Sequence, residues 1–295
     1  MTLRLALSLL LCTSLPVSAQ TSSVAAPSSP PRTASVNSQP RRDVANMPRP
    51  IDMHDSVWIE QLTMLEVRDL LKSGKTTALI LTGGIEENGP YLTTGKHNNV
   101  LKAQGESIAR ALGNALVAPI VTLEPGNPDR PGLSPGTVVL SQATFRAVLS
   151  DMARSLRSQG FTDIVLLGDS GGNLKGMQEV ATTLNADWKG QGRVHFIPEY
   201  YNYADVEHFE ETELGIKEQL EGFHDDYYIS AIISTVDTDA IRMRERRKAG
   251  NFVINGVPLD PIEKTIANGL RMVQFRTAVT VDAIRKSMTA AGGRQ

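Results

Sequence analysis

Four short apolar runs alternate with longer amphipathic runs along the middle of the chain. The apolar runs have almost no polar positions, which predicts strands buried on both faces; they are residues 77–82, 115–121, 163–167 and 193–197. The amphipathic runs between them predict helices over residues 100–112, 142–159 and 174–184. Strands and helices that alternate in this way predict a three-layer α/β/α fold with a mostly parallel central sheet.

Local signals mark where several of these helices begin and end. Thr63 followed three residues later by Glu66 has the spacing of a capping box, so a further helix is predicted over residues 64–73. We expect Asn98 or Asn99 to cap the helix that begins at Val100. The last apolar-periodic stretch, residues 261–290, predicts helices joined near Thr277.

The first 50 residues have a different composition from the rest. Arg4, an apolar run over residues 5–15 and then Val-Ser-Ala at 17–19 have the pattern of a signal peptide cleaved after Ala19. Residues 20–50 are rich in Ser, Pro, Ala and Thr, which predicts a disordered tether. We therefore expect an exported protein, periplasmic or secreted, with one domain over residues 51–295 and no membrane contact after cleavage.

Composition limits the chemistry that the domain can perform. The only cysteine, Cys12, lies in the predicted signal peptide, so the mature chain has no thiol for a disulfide, a metal or a nucleophile. The formal net charge is −2, with acidic and basic residues mixed throughout, so no nucleic-acid partner is expected. Catalysis would therefore depend on carboxylates, histidines, hydroxyls and bound metal.

Chemically reactive residues follow the predicted strands. In a parallel sheet, functional sites lie at the carboxyl ends of the strands. Glu86, Glu87 and His97 follow the first strand, the loop from Glu124 to Thr137 follows the second, and Asp169 and Ser170 follow the third. Each also has an ordinary structural explanation, as a solvated loop group or a helix cap.

Two further segments leave alternatives open. His224, Asp225 and Asp226 are close enough to serve a metal or a proton transfer, but either aspartate could instead cap the next helix. Gly-Asp-Ser-Gly-Gly at 168–172 matches the nucleophile segment of chymotrypsin-like serine proteases. Those proteases are all-β domains that also need a His base and an Asp, so a serine hydrolase using Ser170 is kept only as an alternative.

The ordered part of the chain resembles the creatininase (creatinine amidohydrolase) family. The resemblance covers residues 57–235 and depends on four blocks in order: residues 86–92, 134–138, 160–173 and 224–230. It implies a creatininase-like fold, often assembled as a hexamer, and hydrolysis of non-peptide amide bonds with one or two divalent ions such as zinc or manganese. In such enzymes the ion activates a bound water and polarises the carbonyl group.

Several positions differ from the family's motifs. The family's first loop reads Glu-Gln-His-Gly-Pro-His and then Gly-Thr-Asp; here Glu86 is retained, Asn88 replaces a ligand histidine, and His97 replaces the bridging aspartate. The third loop reads Asn-Gly-His-Gly-Gly-Asn; here Asp169 replaces the glycine and Ser170 the histidine. A histidine thus appears at 97 as one is lost at 88, and an acid appears at 169 beside the histidine lost at 170, which favours a rearranged site.

The resulting hypothesis is an exported, metal-dependent amidohydrolase that acts on a C–N bond of a small, possibly cyclic, amide. The predicted ligands of a zinc, manganese or iron ion are Glu86, His97 and Asp169. The predicted catalytic residues are His224 and Glu87, and the predicted substrate contacts are Asn88, Ser170, Gly171, Gly172 and Asp226. A homo-oligomer is expected from the resemblance. The alternative from the same family is a binding protein that has lost catalysis.

Overall fold

A computed structural model describes residues 43–133 and 135–292, with the side chains of 291 and 292 excepted. The predicted signal peptide, most of the predicted tether, and Ser134 lie outside the described residues. The described residues from Val44 onward fold as one compact unit. Within the described part, none of the helices is both long and apolar enough to cross a bilayer.

The central sheet has four parallel strands in the order β2-β1-β3-β4. These strands are β1 (Thr77–Thr82), β2 (Ala115–Val117), β3 (Asp163–Gly168) and β4 (Arg193–Phe196). A separate antiparallel hairpin is formed by β5 (Val253–Ile254) and β6 (Val257–Pro258). The helices are α1 (Met64–Lys72), α2 (Lys96–Leu112), α3 (Gln142–Ser158), α4 (Asn173–Trp188), α5 (Tyr203–Phe209), α6 (Tyr227–Ser234), α7 (Met243–Ala249) and α8 (Ile262–Gly292).

Alternate side chains of the sheet enter two different apolar cores. Ala78 and Ile80 of β1 pack into the core that includes residues of α3 and α4. Leu79 and Leu81 pack into the opposite core, with residues of α2 and α8. Because neighbouring strand residues point to opposite faces, helices must cover both sides of the sheet. The predicted three-layer α/β/α fold is confirmed.

The predicted break in the last helical stretch is wrong. Helix α8 is continuous over 31 residues. Thr277 is buried in its middle, and its hydroxyl donates to Ser107 Oγ of α2 at 2.8 Å. No glycine or proline occurs between Leu270 and Ala291 to interrupt the helix. The helix therefore runs from the α6–α7 core across to the sheet.

The start of α2 also differs from the prediction. The helix begins at Lys96 after Gly95, so neither Asn98 nor Asn99 is its cap. The Asn98 amide instead donates to the carbonyls of Gly84 and Thr122, both at 3.2 Å, and joins the loops that follow β1 and β2. This earlier start places Lys96 and His97 in the first helical turn.

The second strand is shorter than predicted. It ends at Val117, whereas its apolar run continues to Val121. Pro119 lies in this run and has no N–H group for a ladder hydrogen bond, so regular pairing stops before it. The helix over residues 64–72 has the predicted capping box between Thr63 and Glu66.

Candidate active site

Loops at the carboxyl ends of β1, β2 and β3 bring four side chains together. β1 ends at Thr82 and β3 at Gly168, and the two are paired at these positions. Glu86 lies in the loop after β1, Glu124 in the loop after β2, and Asp169 and Ser170 directly after β3. This is the edge of the sheet at which the sequence predicts the functional site.

Glu86 is the centre of this cluster. Its Oε2 atom lies 3.0 Å from His97 Nε2, 3.6 Å from Lys96 Nζ and 3.8 Å from His224 Nε2. Its Oε1 atom accepts from the Ser170 hydroxyl at 3.5 Å. One carboxylate is thus approached by three nitrogen groups and one hydroxyl.

Asp169 has no solvent-exposed surface and accepts four hydrogen bonds. Oδ1 accepts from Arg276 Nη2 at 3.0 Å and from the Tyr200 hydroxyl at 3.1 Å. Oδ2 accepts from the Tyr203 hydroxyl at 2.6 Å and from His97 Nδ1 at 2.9 Å. The Arg276 guanidinium also lies over the rings of Tyr200 and Tyr203, 4.5 and 4.7 Å from their centroids. The carboxylate is therefore fully paired inside the protein.

His97 connects the two carboxylates. Burial lowers its pKa, but the hydrogen bonds to Asp169 and Glu86 and their charges outweigh burial and raise the pKa to about 9. A ring that donates to an acceptor at each nitrogen must carry both protons. His97 is thus held as a cation between Asp169 and Glu86.

Glu86 and Glu124 form a carboxyl pair whose pKa values differ widely. Burial raises the pKa of Glu86, but the hydrogen bond and charge of His97, together with Lys96, lower it to about 2. Burial raises the pKa of Glu124 to about 7; the Ser170 hydrogen bond opposes this rise and the Glu86 charge adds to it. Near neutral pH, Glu86 is ionised and Glu124 can exchange a proton.

His224 stands at the solvent side of the cluster. Its side chain is 57% exposed, whereas the Glu86 side chain is 17% exposed. Its Nδ1 donates to the Glu87 carbonyl at 3.2 Å, which leaves Nε2 directed at Glu86.

Neither neighbouring aspartate caps α6 with its side chain: Asp226 makes no such bond, and Asp225 forms a buried ion pair with Arg246 at 3.3 Å.

Glu87 lies next to Glu86 but is engaged elsewhere. Its carboxylate accepts from the Leu133 N–H at 3.1 Å and the Thr137 hydroxyl at 2.9 Å. These bonds tie the loop after β1 to the loop that precedes α3. The catalytic role of Glu87 stays a prediction, and its contacts indicate that it holds these two loops together.

The predicted substrate contacts have varied surroundings. The Asn88 amide donates to the carbonyls of Glu86 and Thr93, at 3.0 and 3.3 Å, and so folds its own loop. Ser170 is buried and bonds to Glu124. Gly172 N–H donates to Ser170 Oγ at 3.4 Å where α4 begins, directly after Gly171. Asp226 accepts from Asn255 at 3.4 Å. Their roles in binding substrate stay predictions.

Three residues of the site were missed at the level of sequence. Glu124 lies in a loop that was identified as reactive, but no motif distinguished it from its neighbours. Lys96 and Arg276 gave no signal at all, because a charged residue in a loop or an amphipathic helix normally faces solvent. Both side chains are at most 1% exposed. Only the fold shows that they face the buried carboxylates.

The side chains around Glu86 do not fit a metal ion. Across residues 43–133 and 135–292, no three His, Cys, Asp or Glu side chains are arranged to coordinate one. A metal ligand must offer a lone pair. Both Asp169 oxygens are used by four donors, and both His97 nitrogens face carboxylates. The assignment of Glu86, His97 and Asp169 as metal ligands stays a prediction, although the three side chains do meet.

Comparison with known proteins gives a consistent result. A family model described as creatinine amidohydrolase matches residues 60–283. No curated protein matches the chain.

Solved structures with the same fold include several creatininases. One titled "Creatininase Mn" is 16% identical, with a TM-score of 0.58 over 78% of this chain and 98% of that one. A mutant creatininase of Zn-Zn type is 17% identical, with a TM-score of 0.57 over 79% of this chain and 98% of that one. A putative creatinine amidohydrolase from Bacteroides fragilis is 15% identical, with a TM-score of 0.52 over 79% of this chain and 98% of that one. At this identity the likeness concerns the fold.

Proposed function

The chain belongs to the creatininase family, and on that premise we propose that it is a hydrolase that cleaves a C–N bond other than a peptide bond in a small amide. The observation that carries the proposal is the meeting of Glu86, Glu124, Ser170 and His224 at the carboxyl edge of the sheet. Two carboxyl groups and a histidine at one site provide the acid and base groups that amide hydrolysis needs.

Each group has a position that suits one step of the reaction. Glu124, hydrogen-bonded to Ser170, accepts a proton from the attacking water. His224 is the exposed group of the cluster. In its imidazolium form it keeps the Nδ1 proton on the Glu87 carbonyl and gives its Nε2 proton to the departing nitrogen as the C–N bond breaks. The carbonyl oxygen of the substrate would lie at the start of α4, where the helix dipole favours negative charge.

Family membership supports a divalent ion, because relatives of this fold are described as Mn and Zn-Zn forms. Within the part of the chain that the structure describes, no set of side chains provides its ligands, so the steps above are assigned to side chains alone. Export to the periplasm or medium is a further part of the proposal, supported by the signal-peptide pattern. A cyclic substrate and a homo-oligomer, such as a hexamer, are added to the proposal from the family resemblance.

A second function is favoured by one specific observation. Asn88 and Ser170 stand at family ligand positions, and each makes ordinary hydrogen bonds within the protein. A binding protein that recognises a small amide without cleaving it would retain the cleft and lose these ligands. Measuring both the hydrolysis and the binding of small amides separates the hydrolase from the binding protein.

The test is release of amine or ammonia from a panel of small linear and cyclic amides and cyclic ureides. We expect the wild-type chain to hydrolyse at least one, and Glu124→Gln to lower kcat by about 10²–10⁴-fold through loss of the base. Glu179→Gln, which removes a carboxylate in a surface ion pair with Arg146, is the matched control and should retain activity.

Calorimetric binding of an amide without turnover would establish the binding protein instead. If Glu124→Gln is as active as the wild type, the assignment of the base is wrong.

A further inference from the structure

Neither the sequence motifs nor the proposed reaction explains Lys96. Its side chain is 1% exposed, although the solvation of an ammonium group makes such burial costly without a partner. Its Nζ lies 3.6 Å from Glu86 Oε2 and donates to the His224 carbonyl at 3.2 Å. Burial lowers its pKa, opposed by the charges of Glu86, Asp226 and Asp169.

Cationic side chains of the protein already neutralise the two ionised carboxylates of the cluster. Glu86 and Asp169 bring two negative charges. Lys96 and Arg276 bring two positive charges at 3.6 and 3.0 Å from them, and His97 lies between the two carboxylates. A divalent ion would add two more positive charges to a buried region that has no unpaired carboxylate at Asp169 to receive it.

At the start of α2, this chain differs from the family motif in the charge of its residues. The family reads Gly-Thr-Asp where this chain reads Gly95-Lys96-His97, so an uncharged residue and an acid are replaced by two basic residues. One ligand is lost and two positive charges are gained on the first turn of α2, beside the retained Glu86. Both the difference from the family motif and the observed contacts therefore add positive charge beside Glu86.

We propose that the ammonium of Lys96 and the imidazole of His97 replace the family's metal ion as the counter-charge of Glu86 and Asp169, so that the folded site needs no metal. Lys96 is then a positioning residue: it fixes the Glu86 carboxylate without contacting the substrate. The inference concerns the charge of the site and does not depend on which amide is cleaved.

The first measurement is elemental analysis of the full chain, produced in medium supplemented with zinc and manganese. We expect no stoichiometric metal, and no change in Tm with added Zn²⁺, Mn²⁺ or a chelator. The control carries Asn88→His, Lys96→Thr, His97→Asp and Ser170→His, which return the family residues at these four positions. This variant should bind stoichiometric zinc or manganese and show a rise in Tm when the ion is added.

The second measurement uses the unaltered chain, in case the fourfold variant does not fold. In ¹⁵N-labelled protein, both ring nitrogens of His97, assigned by their loss in His97→Gln, should carry protons. Lys96→Met should lower Tm, and Lys96→Arg, which keeps the positive charge, should recover part of the loss.

Either of two results would overturn the proposal. One is a bound ion in the wild type that is lost in Glu86→Gln. The other is an equal loss of Tm in Lys96→Met and Lys96→Arg. Neither measurement requires turnover, so a failure here is distinguishable from a failure of the proposed activity.

Discussion

The chemistry of single side chains in this protein is set by what encloses them. Glu86 and Glu87 are adjacent in sequence, yet the first has three basic nitrogens around one oxygen and the second holds two loops together. The sequence could identify both as candidates because acidic residues follow a buried strand. It could not separate them, because their partners come from residues 96–97, 133–137 and 224.

The pairing of His97 makes stability depend on pH in a definite direction. Its pKa is about 9 in the folded chain, above the value of 6.5 for an unperturbed histidine. A raised folded pKa means that the folded state binds the proton more tightly. The stabilisation is therefore fully present below pH 6.5 and is lost as pH rises through about 9.

Urea unfolding at several pH values, with a chelator present, measures this effect. We expect the free energy of unfolding of the wild type to approach that of His97→Gln as pH rises from 7 to above 9, because neutral imidazole no longer bridges Asp169 and Glu86. A difference between the two proteins that does not change over this range would show that His97 is not charged.

Elements with strong local signals were predicted well, and those shaped by distant contacts were not. β1 occupies its predicted residues, and α1 begins where Thr63 and Glu66 form the predicted capping box. α2 begins four residues before its predicted start at Val100, at Lys96, because its first turn is held by buried contacts to Glu86 and Asp169 and not by a capping side chain. Such contacts leave no local pattern.

The crossing of α6 and α8 gives a prediction about a single glycine. A Cβ atom on Gly269 would lie 2.0 Å from the Ala231 carbonyl oxygen, which belongs to the α6 backbone. Gly→Ala inside a helix ordinarily stabilises it by about 1 kcal/mol. Here we expect Gly269→Ala to destabilise the chain by about 1–3 kcal/mol, because two helices must move apart.

Chemical denaturation measures this difference. Ala278→Gly, at an exposed position of the same helix, is the matched control and should cost about 1 kcal/mol from helix propensity alone. Stabilisation by Gly269→Ala would show that the helices cross less closely than described.

At the scale of the whole molecule, the family and the three-layer fold were predictable because they depend on the order of strands, helices and motif blocks. The electrostatic interactions of the site were not predictable, because they join residues at the end of β3, in α2 and in α8, which are far apart in sequence. Asp169 and Arg276 are 107 residues apart, and their ion pair has no exposed surface. No pattern of nearby residues could have indicated that pair.

This ion pair predicts a strongly non-additive double mutant. Arg276→Met leaves the buried Asp169 without its main counter-charge and should destabilise the chain by about 3–5 kcal/mol. Asp169→Asn combined with Arg276→Met removes both charges and should cost less than the sum of the single changes, as measured by urea unfolding. Additive costs would show that the two groups do not interact.

The same pair has a consequence for how the chain reaches its native state. An intermediate that has assembled the strands without α8 lacks Arg276, so the Asp169 carboxylate cannot take its buried position without the cost of an unpaired charge. That penalty makes such intermediates scarce, so the sheet and the terminal helix should acquire protection from hydrogen exchange together, in one cooperative event. Partly folded states of this protein should then be short-lived, because both the unpaired charge and the incomplete packing destabilise them.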